Sequence, residues 1–348
     1  MNLFEKHLIS TNSSIKDALI LLDQLAADAI LFVVDENRKL LGSLTDGDVR
    51  RGLLRDVSIS DSVNQIIQSN PKFVRKGEVR FSEILEFRAK SFVVIPVLDS
   101  EDTIINVINF RYLRSYLPID AVVMAGGKGT RLKPLTDKVP KPLLKVGEKA
   151  IITHNIDRLK LFGIDKFWIT INYLGQQIVD ALGSGSDENF AIQYVREDKP
   201  LGTLGSISYI EDFTQDYVLL TNSDVLTNLD YEHFFMEFLQ EDADLAVATI
   251  PYEVKVPYAV METEGSKVVG FKEKPTYTYY SNGGIYLMKR SVLELVPKGA
   301  FYNATDLMEE LINKGKKVTS YPLVGYWLDI GKHEDFEKAQ VDIKHIKF

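Results

Sequence analysis

An α/β fold is expected for this chain: a mostly parallel sheet covered by helices on both faces, with a smaller α/β module in front of it. Three observations lead there. From Asp120 onward, apolar runs of strand length alternate with helical periodicity. The first 119 residues carry one strand–strand–helix pattern twice, 64 positions apart. The chemically loaded segments of the second part fall just after predicted strands, where open α/β sheets hold their ligands.

In the N-terminal part, Ala29–Val34 and Leu41–Thr45 read as strands, and Asp46–Leu54 reads as a helix opened by an acidic cap. The pattern then returns: Asp35 maps onto Asp99, Leu41 onto Ile105, Leu44 onto Ile108 and Arg50 onto Arg114, with Leu54 near Leu117. Each half is too small to bury a core of its own, so the halves are expected to fold as a pair. Leu117-Pro118-Ile119 marks the joint, with Pro118 stopping the last helix. This places one domain at 1–118 and a second at 119–348.

In the second domain, Asp120–Met124, Lys166–Ile171, Tyr217–Leu220 and Leu245–Ile250 read as strands, and Leu174–Leu182 and Tyr231–Leu239 as helices. Such alternation predicts the mostly parallel sheet.

The segment from Met124 to Leu144 is the most informative in the chain. Gly126, Gly127 and Gly129 let a backbone pass close to a ligand and turn its N–H groups toward an anion, with Thr130 next in line. Arg131 and Lys141 add cations, and Pro134, Pro140 and Pro142 stiffen the loop that carries them. A polyphosphate is the ligand such a loop suits. The lysine sits between glycines, unlike that of a P-loop, and Leu132 stands where a dinucleotide fingerprint needs its third glycine.

Five further segments complete the pattern. Thr221-Asn-Ser-Asp224 follows a predicted strand, and Trp327-Leu-Asp329-Ile-Gly331 supplies a second aspartate. Phe271-Lys-Glu-Lys-Pro275 follows the strand-like Val268–Phe271, and Ser281-Asn-Gly-Gly-Ile-Tyr286 adds an amide in a glycine turn. Pro200-Leu-Gly-Thr-Leu-Gly-Ser206 is a further glycine loop.

Together these motifs, from about Asp120 to about Lys344, resemble the sugar-1-phosphate nucleotidyltransferases. The resemblance implies a Rossmann-like nucleotidyltransferase sheet and transfer of a nucleoside monophosphate from a nucleoside triphosphate to a sugar-1-phosphate, with pyrophosphate released. It implies Arg131 and Lys141 as catalytic cations, and Asp224 and Asp329 as ligands of Mg²⁺. Gly126, Gly127, Gly129, Thr130 and Gly202 are implied in substrate binding, with Glu273 and Asn282 toward the sugar and Lys274 at its phosphate. Two departures stand out. Gly283 replaces a usual alanine, which is expected to widen the sugar pocket, and Leu204 replaces a small residue, which leaves open whether it faces the ligand.

The tandem repeat resembles a CBS pair, the module that binds adenosine nucleotides such as AMP or ATP. The first repeat has the Thr-x-x-Asp expected to hold a ribose, as Thr45 and Asp48, whereas Asn109 and Tyr112 replace them in the second. Thr45 and Asp48 are equally suited to capping a helix, so both roles stay open. The combination resembles guanylyltransferases acting on hexose or hexosamine phosphates. A UTP-, dTTP- or CTP-dependent enzyme, or a regulatory subunit that senses a nucleotide-sugar without turnover, is the alternative.

Composition sets the remaining bounds. A net charge of −8 argues against a nucleic-acid surface, and no run reaches the ~20 apolar residues of a membrane helix. There are no cysteines, and the N-terminus lacks signal-peptide order, so a cytoplasmic protein is expected. By analogy with CBS pairs, the chain is expected to form a homo-oligomer.

Overall fold

The 64-residue repeat recurs in the backbone almost position for position. The structure, a computed structural model, describes residues 4–185 and 190–346. In the first repeat, β1 (Leu8–Ser10), α1 (Ile15–Leu25), β2 (Ile30–Val34), β3 (Leu40–Thr45) and α2 (Asp46–Leu53) follow one another. The second gives β4 (Val74–Arg75), α3 (Phe81–Ala89), β5 (Val94–Leu98) and β6 (Ile104–Asn109). Each repeat makes a three-stranded sheet, first pair parallel and second antiparallel, with a bulge after Val33 in one and after Val97 in the other. The turns match as well. Asp35 Oδ1 accepts the N–H groups of Asn37 and Lys39, and Asp99 Oδ1 those of Glu101 and Thr103. Arg38 and Asp102, 64 apart, both take positive φ, at 63° and 66°.

Burial explains why neither repeat stands alone. Ile15, Leu22, Leu31, Val33 and Leu44 form a core under the first sheet, while Phe32 and Val34 pack with Val94, Leu98 and Ile104 of the second repeat. The outer face of one sheet is thus the inner face of the pair.

The repeats part at their ends. The helix expected before Pro118 does not form, and residues 110–118 run as turns and extended chain. Arg114 N–H donates to Leu161 O at 2.6 Å and Leu117 N–H to Phe162 O at 2.9 Å, so these donors go to a distant segment instead of to a helical turn.

The chain divides into two compact units. The first takes in Met1–Asp120 with Leu159–Phe167 and Leu182–Ile192, and the second takes in the rest. β7 (Ile119–Met124) is buried along most of its length, as the run of Ala121, Val122 and Val123 requires. After it come β8 (Lys145–Val146), β9 (Lys149–Ala150), α4 (Ile151–Lys160), β10 (Lys166–Ile171), α5 (Gly175–Leu182), β11 (Ala191–Arg196), β12 (Tyr217–Asn222) and β13 (Val225–Thr227). Then follow α6 (Tyr231–Gln240), β14 (Leu245–Lys255), β15 (Val260–Glu264), β16 (Lys267–Lys272), β17 (Thr276–Lys289), α7 (Ala304–Asn313), β18 (Val318–Pro322), β19 (Trp327–Asp329) and α8 (His333–Asp342).

Seven strands form the main sheet, in the order β11-β10-β7-β12-β17-β14-β18. The sheet is mixed: β17 runs antiparallel to both β12 and β14, while β18 is parallel to β14. The long strands β14 and β17 continue past the core as an exposed ribbon, and β15 pairs with β16 beyond it. Val122, Leu204, Val218, Leu220, Val247, Met288 and Leu307 share one core cluster. Among the described residues, no helix is long and apolar enough to cross a membrane.

Candidate active site

Strand order brings two distant aspartates side by side. Asp224 lies in the turn between β12 and β13, and Asp329 closes β19. β13 and β19 pair antiparallel with Val225 opposite Asp329, and Ile330 N–H donates to Asp224 O at 3.0 Å. The two carboxylates therefore meet on a short ribbon whose register is fixed by backbone bonds.

Lys141 closes this corner. It lies in a 3₁₀ turn, Lys141–Leu143, framed by Pro140 and Pro142, and only 8% of it is exposed. Its ammonium pairs with Asp224 Oδ2 and stands 3.9 Å from Asp329 Oδ1. Burial pushes the Asp329 carboxyl above its usual range, the Asp224 charge pushes it further, and Lys141 and Arg131 offset part of that. The Oδ1 atoms of Asp224 and Asp329 are both buried without a hydrogen-bond partner. Buried acceptors left open like this fit a hard cation, which takes oxygen ligands and keeps other positions for phosphates and water. Among the described residues, no group of three or more His, Cys, Asp or Glu side chains gathers as a metal cage.

The glycine loop folds over the same corner. Gly129 adopts φ 60°, and a Cβ there would come within 3.0 Å of both Lys141 and Thr136, so a side chain would push the loop off its lysine. Thr136 Oγ1 donates to Gly129 O at 2.8 Å. Thr130 and Arg131 begin a 3₁₀ turn and are exposed. The Arg131 guanidinium lies against Gly331, where a Cβ would stand 3.3 Å from Nη1.

A cleft of about 340 Å³ opens between these elements, lined among others by Gly126, Gly127, Lys141, Gly202, Asn222 and Asp224. Gly202 takes φ 78°, and its missing Cβ makes room for Tyr302 O at 2.6 Å. Leu204, which the sequence left open, points away from the cleft: it is 1% exposed in the core. Gly283, expected to widen the sugar pocket, has a packing reason of its own. A Cβ there would strike Ala248 O at 2.7 Å, so the position is glycine because β14 passes close by.

Asn282 lies within β17, opposite Thr249 of β14. Its Oδ1 accepts Gly284 N–H at 2.9 Å, and its amide donates to the buried Tyr286 hydroxyl at 2.8 Å. Glu273 and Lys274 do not line the cleft. They sit exposed in the turn between β16 and β17, where Lys274 has φ 42°.

Sequence reasoning missed Glu197. It follows β11, is 9% exposed and lines the cleft. A Cβ on Gly126 would stand 3.4 Å from its Oε2, so the glycine loop opens onto this carboxyl. Burial raises its pKa, opposed by the Ser206 hydroxyl and the Leu201 backbone, which donate to it. Its own carbonyl accepts the Asn172 amide at 2.8 Å. The one available signal was an acidic residue just past a strand and three positions before Pro200, in a segment read only for its glycines.

In the first unit, Thr45 and Asp48 form the N-terminal capping box of α2. Asp48 Oδ2 accepts the Thr45 N–H at 2.9 Å and its hydroxyl at 2.6 Å. Oδ1 accepts Arg51 at 2.5 Å and Gln68 at 2.7 Å, and the residue is 3% exposed.

Comparison with known proteins identifies the families that the chain resembles. The family described as nucleotidyl transferase matches residues 120–345, and the CBS domain family matches residues 7–55. The mannose-1-phosphate guanylyltransferase of Mycobacterium tuberculosis is 31% identical over 231 residues, covering 65% of this chain and 64% of that protein. The D-glycero-alpha-D-manno-heptose 1-phosphate guanylyltransferase of Aneurinibacillus thermoaerophilus is 29% identical over 65% of this chain and 99% of its own length. A solved structure from Bacillus anthracis, described as a glucose-1-phosphate thymidylyltransferase in complex with a sucrose, superposes with a TM-score of 0.54 at 27% identity, covering 66% of this chain and 97% of that one. The chain spans 61–64% of the length of the mannose-1-phosphate guanylyltransferases it matches.

Proposed function

The chain belongs to the nucleotidyl transferase family, and on that premise we propose that it joins a nucleoside triphosphate to a sugar-1-phosphate, releasing pyrophosphate, with GTP as the donor and a hexose or related sugar phosphate as acceptor. The observation that carries the reaction class is the corner of Lys141, Asp224 and Asp329 beneath a glycine loop bearing Arg131. The acceptor phosphate is already an anionic nucleophile at neutral pH, so no activated side chain is required. The protein has to align two polyanions and neutralise charge as the bond to the α-phosphorus forms and the bond to pyrophosphate breaks. Arg131 and Lys141 supply fixed cations, and the N–H groups around Gly126, Gly127 and Gly129 face the phosphates. Asp224 and Asp329 would hold Mg²⁺, which when bound neutralises phosphate oxygens and orients them. Asn282 is the proposed sugar contact; Glu273 and Lys274, exposed in the turn between β16 and β17, are assigned no contact.

Glu197 supports guanine. Guanine offers two adjacent donors, the ring N1–H and the exocyclic amine, and a single carboxylate accepts both. Uracil and thymine offer one N–H between two carbonyl oxygens, which a carboxylate repels. The guanylyltransferase activities of the two relatives point the same way. The N-terminal pair is read as a nucleotide-sensing module acting on this reaction.

Pyrophosphate release with Mg²⁺, measured for five nucleoside triphosphates against a panel of sugar-1-phosphates, tests the proposal. Turnover restricted to GTP is the expected result. Turnover with UTP, dTTP or CTP instead would overturn the base choice, and silence across the grid, with and without AMP, would overturn the reaction.

A further inference from the structure

α4 buries two polar side chains in the stripe where its periodicity calls for apolar ones. Ile151, Ile152, Ile156 and Leu159 are buried at helical spacing, and Asn155 and Arg158 lie among them at 6% and 4% exposure. A buried amide and a buried guanidinium are costly unless their hydrogen bonds are made. Both make them with the two ends of one short strand. Asn155 Nδ2 donates to Ser223 O at 3.1 Å, shortly before β13 begins. Arg158 Nη2 donates to Asn228 O at 2.7 Å and to Leu229 O at 2.8 Å, directly after β13 ends. Ile151 shares an apolar cluster with Leu226 of β13 and Leu328 of β19. One helix thus grips β13 at both ends and from beneath.

We propose that Asn155 and Arg158 are positioning residues for nucleotidyl transfer: from α4 they fix β13, and with it the separation of Asp224 and Asp329. The proposal rests on the reading, given above, of these two aspartates as a pair that works in the reaction. Ser223 immediately precedes Asp224, and its own N–H donates to Met124 O at 3.1 Å, so both of its backbone groups are engaged. Asp224 O accepts the Ile330 N–H, and Val225 stands opposite Asp329. A displacement of β13 against β19 therefore moves one carboxylate relative to the other. Mg²⁺ demands near-ideal geometry of its oxygen ligands, so that spacing has little tolerance. Leucine at position 155 would fill the stripe equally well, but it would take from Ser223 O the donor that Asn155 supplies. A fully bonded buried amide specifies one placement of its partner, where apolar packing alone accepts several. Neither side chain needs to touch substrate to act in this way.

Amide hydrogen exchange on the full chain, without metal or nucleotide, tests the grip, and the Mg²⁺ dependence of pyrophosphate release tests its consequence. Asn155→Leu removes the donor at nearly constant volume. It should speed exchange about tenfold across 223–230 and 327–330, the scale of one lost hydrogen bond, while the core of β14 keeps its protection. It should also raise the Mg²⁺ midpoint about tenfold, as loss of a group that orients metal ligands does. Arg158→Met should act in the same direction, and Asn155→Ala makes the same test if leucine does not fold. Ile156→Ala, an apolar neighbour buried on the same helix, controls for lost stability: it should lower the melting temperature and leave the Mg²⁺ midpoint in place. Unchanged exchange in the Asn155 and Arg158 variants would overturn the grip. An unmoved Mg²⁺ midpoint, or one that moves equally in Ile156→Ala, would overturn the positioning role. A wild-type chain that releases no pyrophosphate would overturn the reaction and this role with it, a result distinct from unchanged exchange in an active enzyme.

Discussion

The Arg131 guanidinium rests against Gly331, where an added Cβ would come within 3.3 Å of Nη1 and 3.4 Å of Cζ. Arg131 is exposed and adds little to a core, so its position is set by what it touches. Gly331→Val should push it out of place and lower kcat/KM by about tenfold or more, because small misplacements of a charge-neutralising group are expensive. Arg131→Ala should lose turnover at least as heavily. Both should melt close to wild type. Steady-state kinetics beside a thermal melt checks the pair, and a normal rate in Arg131→Ala would remove the residue from the reaction.

Asp224 is tied to Lys141 on one oxygen and open on the other. Asp224→Asn should reduce kcat by about 10²–10³-fold, the usual scale for losing one preorganised electrostatic group. It should also shift the Mg²⁺ dependence of the rate to higher concentration. A metal titration of the variant with unchanged midpoint would show that Asp224 is not a ligand.

Glu197 makes a pH-dependent prediction. Burial raises its pKa, so on acidification it takes up a proton sooner than an ordinary glutamate, and protonation removes an acceptor from guanine. The KM for GTP should therefore rise as pH falls, beginning above the usual carboxylate range. Glu197→Gln should raise the KM for GTP by about 10–100-fold at neutral pH, as expected for a charged hydrogen bond worth ~1.5–3 kcal/mol, and should flatten that acid limb. A pH profile of kcat/KM for both proteins decides it.

Gly202 holds φ 78° with Tyr302 O 2.6 Å and Asn303 Oδ1 2.8 Å from where a Cβ would sit. Gly202→Ala combines backbone strain with a clash against main chain, so it should destabilise the protein by about 1–3 kcal/mol. Equilibrium urea unfolding measures this. An unchanged midpoint would mean the loop relaxes freely.

Asp48 anchors the first repeat. Burial raises its pKa, but hydrogen bonds from Thr45, Gln68 and Arg51 outweigh that and hold it below the usual aspartate range. A depressed carboxylate adds stability above its unfolded pKa and loses it as pH falls through the folded value. Asp48→Ala should therefore cost about 1–3 kcal/mol at neutral pH, and the difference should shrink under strong acid. Denaturant curves at the two pH values test the sign.

Much of this protein is legible in one dimension. The 64-residue repeat, the alternation of strand and helix after Asp120, and the cationic glycine loop could all be read, because periodicity, turn chemistry and motif spacing are local properties. The strand predicted for Lys166–Ile171 has those bounds in the structure, and that for Tyr217–Leu220 extends to Asn222. Only the tertiary structure decided which groups share a site. Glu197 meets Gly126, Asp224 meets Asp329, and Arg131 meets Gly331 because of strand order and ribbon register, which no sequence period encodes. The same holds for the missing helix before Pro118. Its backbone donors found Leu161 and Phe162, partners too distant in sequence for local propensity to anticipate.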